Sequence, residues 1–377
     1  MKITAVHVET LELAMEEPFV IASSALASSP CDLIRVETDE GLVGLGEACP
    51  AYEFTGDTLW TVQDVIGEYL GPVVIGKDPF QLEAIVHCWE RELYTVGNQA
   101  ARAGLEMALW DLQGKALGRP LYDLIGGRTR DGLTEVIALG WDEPEVLAAK
   151  TRAMRAEGIT VFKIKVGDLP ERDEQRVAAV REVAGTQARI TVDANQGWWD
   201  AGTAVRAIKL LTPHNIEFVE QPVRMDDLEA ARRVRDRVDV PIALDESIRG
   251  PREALEAVKA GACDIFVVKL MKTGGILNAL KVNAIAEAGG VSTMVGNMGE
   301  SSLGLAAHFQ ISVALANAVH CDADLPWRPG GFTHDIGVGL GVEIRDGVST
   351  VAVPEGPGLG VALDEDNVKR QRVKRRW

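Results

Sequence analysis

Three acidic residues end successive apolar runs of the sequence, and their type and spacing indicate a metal site. Asp193, Glu220 and Asp245 close runs rich in β-branched residues and stand 27 and 25 residues apart. If these runs are neighbouring parallel strands, their carboxyl ends meet and the three carboxylates converge. Converging carboxylates repel unless a cation neutralises them, and oxygen-only ligands favour Mg²⁺, or Mn²⁺, over Zn²⁺. The alternative is three acids at ordinary solvated loop starts.

Lysines stand close to these acids in the predicted arrangement. Lys163 and Lys165 lie two residues apart on one predicted strand, so both side chains point to the same face. Like charges this close disfavour each other, so we expect at least one lysine with a lowered pKa, able to act as a general base. Lys269 ends a later run. If the runs are strands that close into a barrel, Lys269 stands across that barrel from Lys165. Two bases on opposite sides of a metal-stabilised enolate predict racemisation or epimerisation.

The elements that must position these side chains alternate between strand and helix from about residue 133. Run ends recur roughly every 24 to 28 residues, and seven or eight such units in series predict a closed parallel α/β barrel. A doubly wound open sheet is the structural alternative. The predicted strands are 160–166, 189–193, 216–220, 241–245, 264–269, 291–295 and 318–321. The predicted helices include 171–183, 201–211, 228–238, 252–259 and 276–286.

The first part of the chain has a different pattern, in which strands come first and helices follow. This order indicates an α+β cap domain. The predicted strands are 3–13, 33–38 and 42–47, and the predicted helices are 58–69, 79–94 and 98–117. Residues 342–353 predict a hairpin that returns to this domain. We therefore expect a cap at 1–125, completed by about 340–377, and a barrel at 126–339.

Composition excludes several classes of partner. The 377 residues contain 39 Lys and Arg against 56 Asp and Glu, a net charge of −17. Such a surface repels polyphosphate and anionic lipid, so neither nucleic acid nor a membrane is expected as a partner. Five scattered cysteines without a C-x-x-C pair, together with the lack of a signal-peptide core, predict reduced thiols in a cytoplasmic protein. A homo-oligomer is expected, because symmetric assemblies are common.

The strand-end motifs resemble the muconate-lactonizing-enzyme subgroup of the enolase superfamily, over nearly the whole chain. The matching strings are K-x-K at 163–165, D-x-N at 193–195, E-Q-P at 220–222, D-E-S at 245–247 and V-K-L at 268–270, with 103–112 and 124–127 at the cap–barrel junction. The resemblance implies a modified (β/α)₇β TIM-like barrel with an α+β capping domain. It implies Mg²⁺ ligands at Asp193, Glu220 and Asp245. It also implies an acid/base pair of Lys165 and Lys269, with Lys163 tuning Lys165.

Within the subgroup the sequence looks most like dipeptide epimerases. Three strings carry this finer resemblance: T-G-D-T at 55–58, K-L-M-K-T-G-G-I at 269–276 and D-A-D at 322–324. In such epimerases the D-x-D pair holds the α-ammonium group of a dipeptide, which implies that role for Asp322 and Asp324. Ser24 and Met298 are further candidates for substrate contact. The resemblance thus implies a small-molecule dipeptide substrate.

One segment departs from the pattern of Ala-Glu epimerases. By this resemblance, the loop at residues 19–27 belongs to the flexible part of the cap that covers the substrate, and in those enzymes a basic residue there meets the glutamate side chain. This sequence has no Arg or Lys between Phe19 and Pro30, and Ser24 lies nearest that place. We therefore expect a substrate with a small or apolar side chain rather than an acidic one.

Other functions share part of this pattern. An o-succinylbenzoate synthase, an N-acylamino acid racemase or a muconate cycloisomerase would keep the acids and lysines, but their substrates have no ammonium group for Asp322 and Asp324. A racemase of proline-like or betaine substrates would use Trp198 or Trp327 as a cation–π wall. A non-enzymatic barrel that serves only as a binding module is the third class.

Overall fold

An antiparallel three-stranded sheet begins the chain, with its strands in sequential order. The computed structural model describes residues 1–22, 24–93, 97–326, 328 and 331–374. The strands are β1 (Ile3–Val20), β2 (Ala25–Thr38) and β3 (Val43–Ala48). Both β1 and β2 are longer than predicted, because pairing continues past an irregularity between Ala14 and Phe19 to the pair of Val20 with Ala25.

Helices pack against this sheet. They are α1 (Tyr52–Thr55), α2 (Leu59–Val65), α3 (Gly71–Val74), α4 (Leu82–His87), α5 (Gln99–Leu117) and α6 (Leu121–Leu124), with π-helical turns at Ile66–Leu70 and Cys88–Glu92. Helix α5 is the central one and is buried along most of its length. It lies so close to β3 that a Cβ on Gly44 or Gly46 would fall 2.2 or 2.0 Å from a carbonyl oxygen of the helix. Glycine at these two positions is required by packing.

A parallel eight-stranded sheet follows the short strand β4 (Leu133–Thr134), and its strands are adjacent in chain order. They are β5 (Val136–Leu139), β6 (Val161–Lys165), β7 (Arg189–Asp193), β8 (Val219–Glu220), β9 (Ile242–Leu244), β10 (Ile265–Val268), β11 (Ser292–Val295) and β12 (Ala318–Cys321). The backbone N–H of Val136 donates to the carbonyl of Ala323 at 3.2 Å, so the first strand meets the end of the last. The sequential order confirms the predicted barrel and excludes a doubly wound sheet, whose strand order reverses at a switch point.

Helices connect the barrel strands. They are α7 (Pro144–Ala156), α8 (Pro170–Ala184), α9 (Ala201–Leu211), α10 (Leu228–Arg235), α11 (Pro251–Ala260), α12 (Leu270–Thr273), α13 (Ile276–Ala288) and α14 (Ser302–Ala314). Helix α9 shows why such a segment forms a helix in this position. Asp200 caps its N-terminus, and Ala204, Ile208 and Leu211 form a buried stripe at helical spacing. Throughout the described ranges, no helix is both long and apolar enough to pass through a bilayer.

The C-terminal segment contacts both parts of the molecule. Its elements are β13 (Gly337–Val338), β14 (Gly341–Arg345), β15 (Val348–Ala352), β16 (Ala362–Leu363) and α15 (Glu365–Gln371). The predicted hairpin forms between β14 and β15, and β15 pairs with β4 rather than with the first sheet. The residues after α15 reach β1, where the N–H of Val373 donates to the carbonyl of Thr10 at 2.9 Å.

Glu47 of β3 joins the cap to the barrel. Its fully buried carboxylate accepts hydrogen bonds from the N–H of Ser301 at 2.9 Å, the hydroxyl of Ser301 at 2.5 Å and the N–H of Gly304 at 2.8 Å, all at the start of α14. Burial raises the pKa of Glu47, whereas these donors and the helix N-terminus favour its charged form. The Cys49 thiol donates to the same carboxylate at 3.3 Å, and within the described ranges no disulfide links the five cysteines.

Candidate active site

The three acids predicted as metal ligands lie side by side at the carboxyl ends of neighbouring strands. Asp193 is the last residue of β7, Glu220 is the last of β8, and Asp245 directly follows β9. The register pairs Asp193 with Glu220 across the parallel ladder. Each of the three side chains is at most 1% exposed. The regular βα period therefore places three buried carboxylates at one edge of the barrel, as the sequence predicts.

Each carboxylate is paired with a lysine. Lys163 Nζ lies 2.8 Å from Glu220 Oε2 and 3.4 Å from Asp193 Oδ2. Lys165 Nζ lies 2.6 Å from Asp193 Oδ2, and Lys269 Nζ lies 2.7 Å from Asp245 Oδ2. Lys165 and Lys269 therefore approach the acids from opposite flanks, and both line the same cavity.

We expected a lowered pKa for at least one lysine of the Lys163 and Lys165 pair, but the pKa of Lys163 is raised. Burial acts to lower the pKa of Lys163, but the carboxylates of Asp322, Glu220 and Asp193 raise it well above its ordinary value. Burial likewise opposes a charged Lys269, yet Asp245 raises the pKa of this lysine. Attraction to carboxylates at contact distance outweighs repulsion between ammonium groups, because the acids are closer and more numerous.

The oxygen donors of these acids suit a hard divalent cation. Glu220 Oε2 and Asp245 Oδ1 are buried and receive no hydrogen bond of normal geometry, although lysine ammonium groups lie within ion-pair distance of both. Mg²⁺ and Mn²⁺ prefer carboxylate oxygens as ligands, and these two oxygens at the ends of nearby strands lack a hydrogen bond that would compete with a metal ion. Asp193, Glu220 and Asp245 are therefore chemically suited to hold such an ion.

A second pair of carboxylates follows β12. Asp322 is 9% exposed, and its Oδ2 lies 2.9 Å from Lys163 Nζ. Asp324 lines the same cavity, and Asn297 donates a hydrogen bond to its Oδ1. Burial, and then the charge of Asp322, raise the pKa of Asp324 to about 6. The structure thus places both members of the D-x-D string beside the lysines.

The cavity that contains these groups has a volume of about 1100 Å³ and lies between cap and barrel. Ser24 and Met298, the two further candidates, both line it. Most of the cap residues in its wall are apolar, and they include Phe19, Ile21, Leu26, Tyr52 and Phe54. Trp198 does not fit the role of a cation–π wall, because it is 2% exposed and its indole N–H donates to Asp173 at 2.8 Å. Trp327, the other candidate for that wall, lies outside the described residues.

Two groups near the site were not predicted as functional. Lys272, 1% exposed, contacts Asp245 Oδ1 and donates to the carbonyl of Val267 at 3.2 Å. Its signal in the sequence is the second lysine of K-L-M-K, one helical turn after Lys269. His308 and Glu300 form a buried pair at 3.1 Å behind the loop that carries Met298. His308 is buried within α14, and no spacing in the sequence indicates its partner Glu300.

Comparison with known proteins gives the family of the chain. The family described as mandelate racemase / muconate lactonizing enzyme, N-terminal domain, matches residues 2–126. The family described as enolase C-terminal domain-like matches residues 146–367. Together these two matches span the cap and the barrel, so the resemblance noted in the sequence extends over both.

Three relatives illustrate the range of the match. An N-succinyl-L-Arg/Lys racemase of Bacillus cereus is 35% identical over 99% of this chain and 98% of the relative. A hydrophobic dipeptide epimerase of Enterococcus faecalis is 38% identical over 96% and 100%. A chloromuconate cycloisomerase of Pseudomonas putida is 33% identical over 98% of both chains.

A solved structure supports the same relationship. The dipeptide epimerase of Enterococcus faecalis, complexed with Mg and the dipeptide L-Leu-L-Tyr, has a TM-score of 0.89 and 37% identity, covering 96% of this chain and 100% of that one. The chain therefore belongs to the muconate-lactonizing-enzyme subgroup of the enolase superfamily and is an isomerase, as its strand-end motifs predict.

Proposed function

We propose that the protein epimerises a dipeptide at the Cα of its C-terminal residue, with Mg²⁺ as cofactor and Mn²⁺ as a possible substitute. The observation that carries this proposal is the position of Asp322 and Asp324 in the same cavity as Lys165 and Lys269. Two carboxylates beside each other select an ammonium group, and two lysines on opposite flanks suit proton transfer on both faces of a planar intermediate.

The chemistry requires that a weak carbon acid lose its proton. Asp193, Glu220 and Asp245 would hold Mg²⁺, which would supply positive charge to offset the negative charge that develops on the substrate when the proton leaves. One lysine of the Lys165 and Lys269 pair takes the proton from Cα, and the other returns a proton on the opposite face. Both lysines are buried in the wall of the cavity, where each can exchange a proton with Cα.

Binding of the ammonium group fixes the substrate relative to these lysines. Asp322 and Asp324 follow β12, the last barrel strand. This strand pairs with β11, which precedes α14. Charge-assisted hydrogen bonds from the substrate amine to two carboxylates hold its N-terminus in place. The C-terminal Cα can then lie between the two lysines, which lowers the entropic cost of proton transfer.

The charges around the cavity favour uncharged side chains on the substrate. Besides the three site lysines, the cations that line the cavity in the described ranges are Lys150 and Arg328. Lys150 is paired with Asp142 at 2.9 Å and Glu17 at 3.4 Å. Arg328 binds Glu135 through two hydrogen bonds. An acidic substrate side chain would meet no unpaired cation there, whereas the apolar cap residues suit an apolar one. The relationship to a hydrophobic dipeptide epimerase supports this choice.

Racemisation of an N-succinyl amino acid is the second candidate, because a racemase of that name is 35% identical over 99% of this chain. An N-acylated substrate carries no α-ammonium group, however, because its α-nitrogen is an amide. Asp322 and Asp324 would then face an amide and a further carboxylate, and like charges would repel.

Isotope exchange tests the proposal directly. The full-length enzyme with Mg²⁺ is incubated in D₂O with a dipeptide library that includes L-Ala-L-Leu and L-Ala-L-Glu, and with N-succinyl-L-lysine. We expect a mass gain of one unit in apolar dipeptides, with kcat/KM higher for L-Ala-L-Leu than for L-Ala-L-Glu. Exchange confined to N-succinyl-L-lysine would support the second candidate instead. A clear preference for L-Ala-L-Glu would contradict the proposed side-chain specificity.

A further inference from the structure

The side chain of Asn297 connects the loop after β11 to the carboxylates after β12. Its Nδ2 donates to the main-chain carbonyl of Asp322 at 3.3 Å and to Oδ1 of Asp324. Its Oδ1 accepts the backbone N–H of Gly299 at 3.1 Å. Since a backbone N–H can only donate, this last bond fixes which end of the amide faces Asp324. The amide N–H₂ group therefore points at the carboxylate.

A buried ion pair holds the loop that presents Asn297. Glu300 and His308 are each 1% exposed, and His308 Nε2 lies 3.1 Å from Glu300 Oε1. The other ring nitrogen, Nδ1, lies 2.7 Å from the carbonyl of Gly296. The ring of His308 therefore lies between the Glu300 carboxylate and the backbone of Gly296. The second oxygen of Glu300 accepts the N–H of Met298 at 2.5 Å.

The pKa of Glu300 agrees with this geometry. Burial alone would raise it, but the charge and hydrogen bond of His308 and the N–H of Met298 lower it below its ordinary value. The cap adds one more contact, because the hydroxyl of Ser29 donates to the carbonyl of Gly299 at 2.7 Å. The loop is therefore anchored to α14 on one side and to β2 on the other.

We propose that Asn297 is a positioning residue that orients the Asp324 carboxylate toward the substrate amine, and that the Glu300–His308 pair holds the loop in the required conformation. This inference rests on the proposed function. The amide binds one oxygen of Asp324, a residue of the cavity wall, and the second oxygen is then the one to accept from the substrate amine. The amide also stabilises the charged carboxylate, which is the form that binds an ammonium group.

The test compares substrates with and without an ammonium group. For the wild type and each variant, kcat and KM are measured with L-Ala-L-Leu and with N-acetyl-L-Ala-L-Leu, whose amine is blocked. The variants are Asn297→Ala and the nearly isosteric Asn297→Leu. The matched control is Asn317→Ala, because Asn317 also donates an amide N–H to a backbone carbonyl, Val291 O at 3.0 Å, but at the opposite end of β12.

We expect both Asn297 variants to lower the preference for the free amine about tenfold, mainly through a higher KM for L-Ala-L-Leu, as loss of a hydrogen bond to a charged group implies. For Asn317→Ala, both the Tm and the preference for the free amine should stay near the wild-type values. Glu300→Gln should lower the ratio of kcat/KM for L-Ala-L-Leu to kcat/KM for N-acetyl-L-Ala-L-Leu. If that ratio is unchanged in the folded variant, the proposed role of the Glu300–His308 pair is wrong.

Two further outcomes are distinguishable. If the wild type prefers the free amine and the Asn297 variants keep that preference, the role of Asn297 is wrong and the proposed function stands. If the wild type itself shows no preference for the free amine, both the proposed function and this inference are wrong.

Discussion

The ammonium group of Lys163 lies 2.9 Å from Oδ2 of Asp322, although the two residues are 159 positions apart in the chain. The same nitrogen contacts Glu220 on β8. Lys163 therefore joins the acids that suit a cation to the carboxylate pair proposed to hold the substrate amine. The two parts of the site form one charge network, so a change in either is expected to affect the other.

Removal of either proposed acid/base lysine should abolish epimerisation. We expect Lys165→Ala and Lys269→Ala each to reduce turnover of L-Ala-L-Leu by a factor on the order of 10³, the usual size of a general acid–base contribution. Polarimetry or chiral chromatography measures the loss. Lys150→Ala is the matched control, because Lys150 lines the same cavity but is paired with Asp142 and Glu17. Full turnover by either site variant would remove the two-base assignment.

A basic residue in the cap should admit an acidic substrate. We expect Ser24→Arg to raise kcat/KM for L-Ala-L-Glu relative to L-Ala-L-Leu about tenfold, because the guanidinium group would pair with the substrate carboxylate in a largely apolar part of the cavity. Ser24→Gln controls for side-chain length without charge. If Ser24→Arg leaves the ratio of the two substrates unchanged, Ser24 does not face the C-terminal side chain.

The acid limb of the pH profile should report Asp324. Burial and the charge of Asp322 raise its pKa to about 6, and only the deprotonated carboxylate attracts an ammonium group. We therefore expect kcat/KM for a dipeptide to fall as the pH decreases through about 6. The Asp324→Asn enzyme should have a low kcat/KM without this limb. A limb of the same position and size in that variant would assign the titration to another group.

Metal binding should be detectable apart from activity. Because a ligand that binds only the folded state stabilises it, Mg²⁺ is expected to raise the Tm of the wild type by a few degrees, roughly, at millimolar concentration. Mn²⁺ should act similarly. Asp193→Asn should lose this response, whereas Asp264→Asn, which changes a partly exposed acid paired with Arg235, should keep it. Equal shifts in both variants would place the ion elsewhere.

The pH dependence of stability should report a buried acid in the cap. Asp32 is fully buried, its Oδ1 accepts the hydroxyl of Thr10 at 2.5 Å and its Oδ2 has no hydrogen-bond partner. Burial raises its pKa to about 7, against about 3.9 in an unfolded chain. The folded state therefore binds the proton more tightly, and stability is lost as the pH rises from about 4 to 7, by up to about 4 kcal/mol.

Urea unfolding at pH 5 and pH 8 measures this effect. The free energy of unfolding of the wild type should decrease over this interval relative to that of Asp32→Asn, which has no proton to lose. Asp39→Asn, a change in the exposed turn after β2, should retain the wild-type pH dependence. Parallel pH curves for the wild type and Asp32→Asn would show that Asp32 is not protonated in the folded state.

Much of the barrel could be predicted because its segments have sharp boundaries. The strands at 189–193 and 318–321 and the helix at 201–211 agree with the structure residue by residue. In the cap, by contrast, alternation weakens after Leu13, so the continuation of β1 to Val20 was missed. That continuation depends on pairing with β2, which no local pattern encodes.

The candidate site could be predicted where one residue type recurs at the βα period, and less well where groups meet through the tertiary fold. The strand-end acids belong to the first kind. The pKa direction of Lys163 belongs to the second, because spacing along β6 shows only its neighbour Lys165, whereas Asp322 arrives from β12. The pairing of Glu300 with His308 across a loop and a helix is another contact without a sequence period.

The hydrogen bonds of Glu47 have a consequence for how the molecule melts. If the cap came apart from the barrel, this carboxylate would lose the three donors at the start of α14. A partial opening would break all three hydrogen bonds at once, and the N-terminus of α14 would lose the carboxylate beside it. Cap and barrel should accordingly denature in a single cooperative step, rather than as two separable folding units.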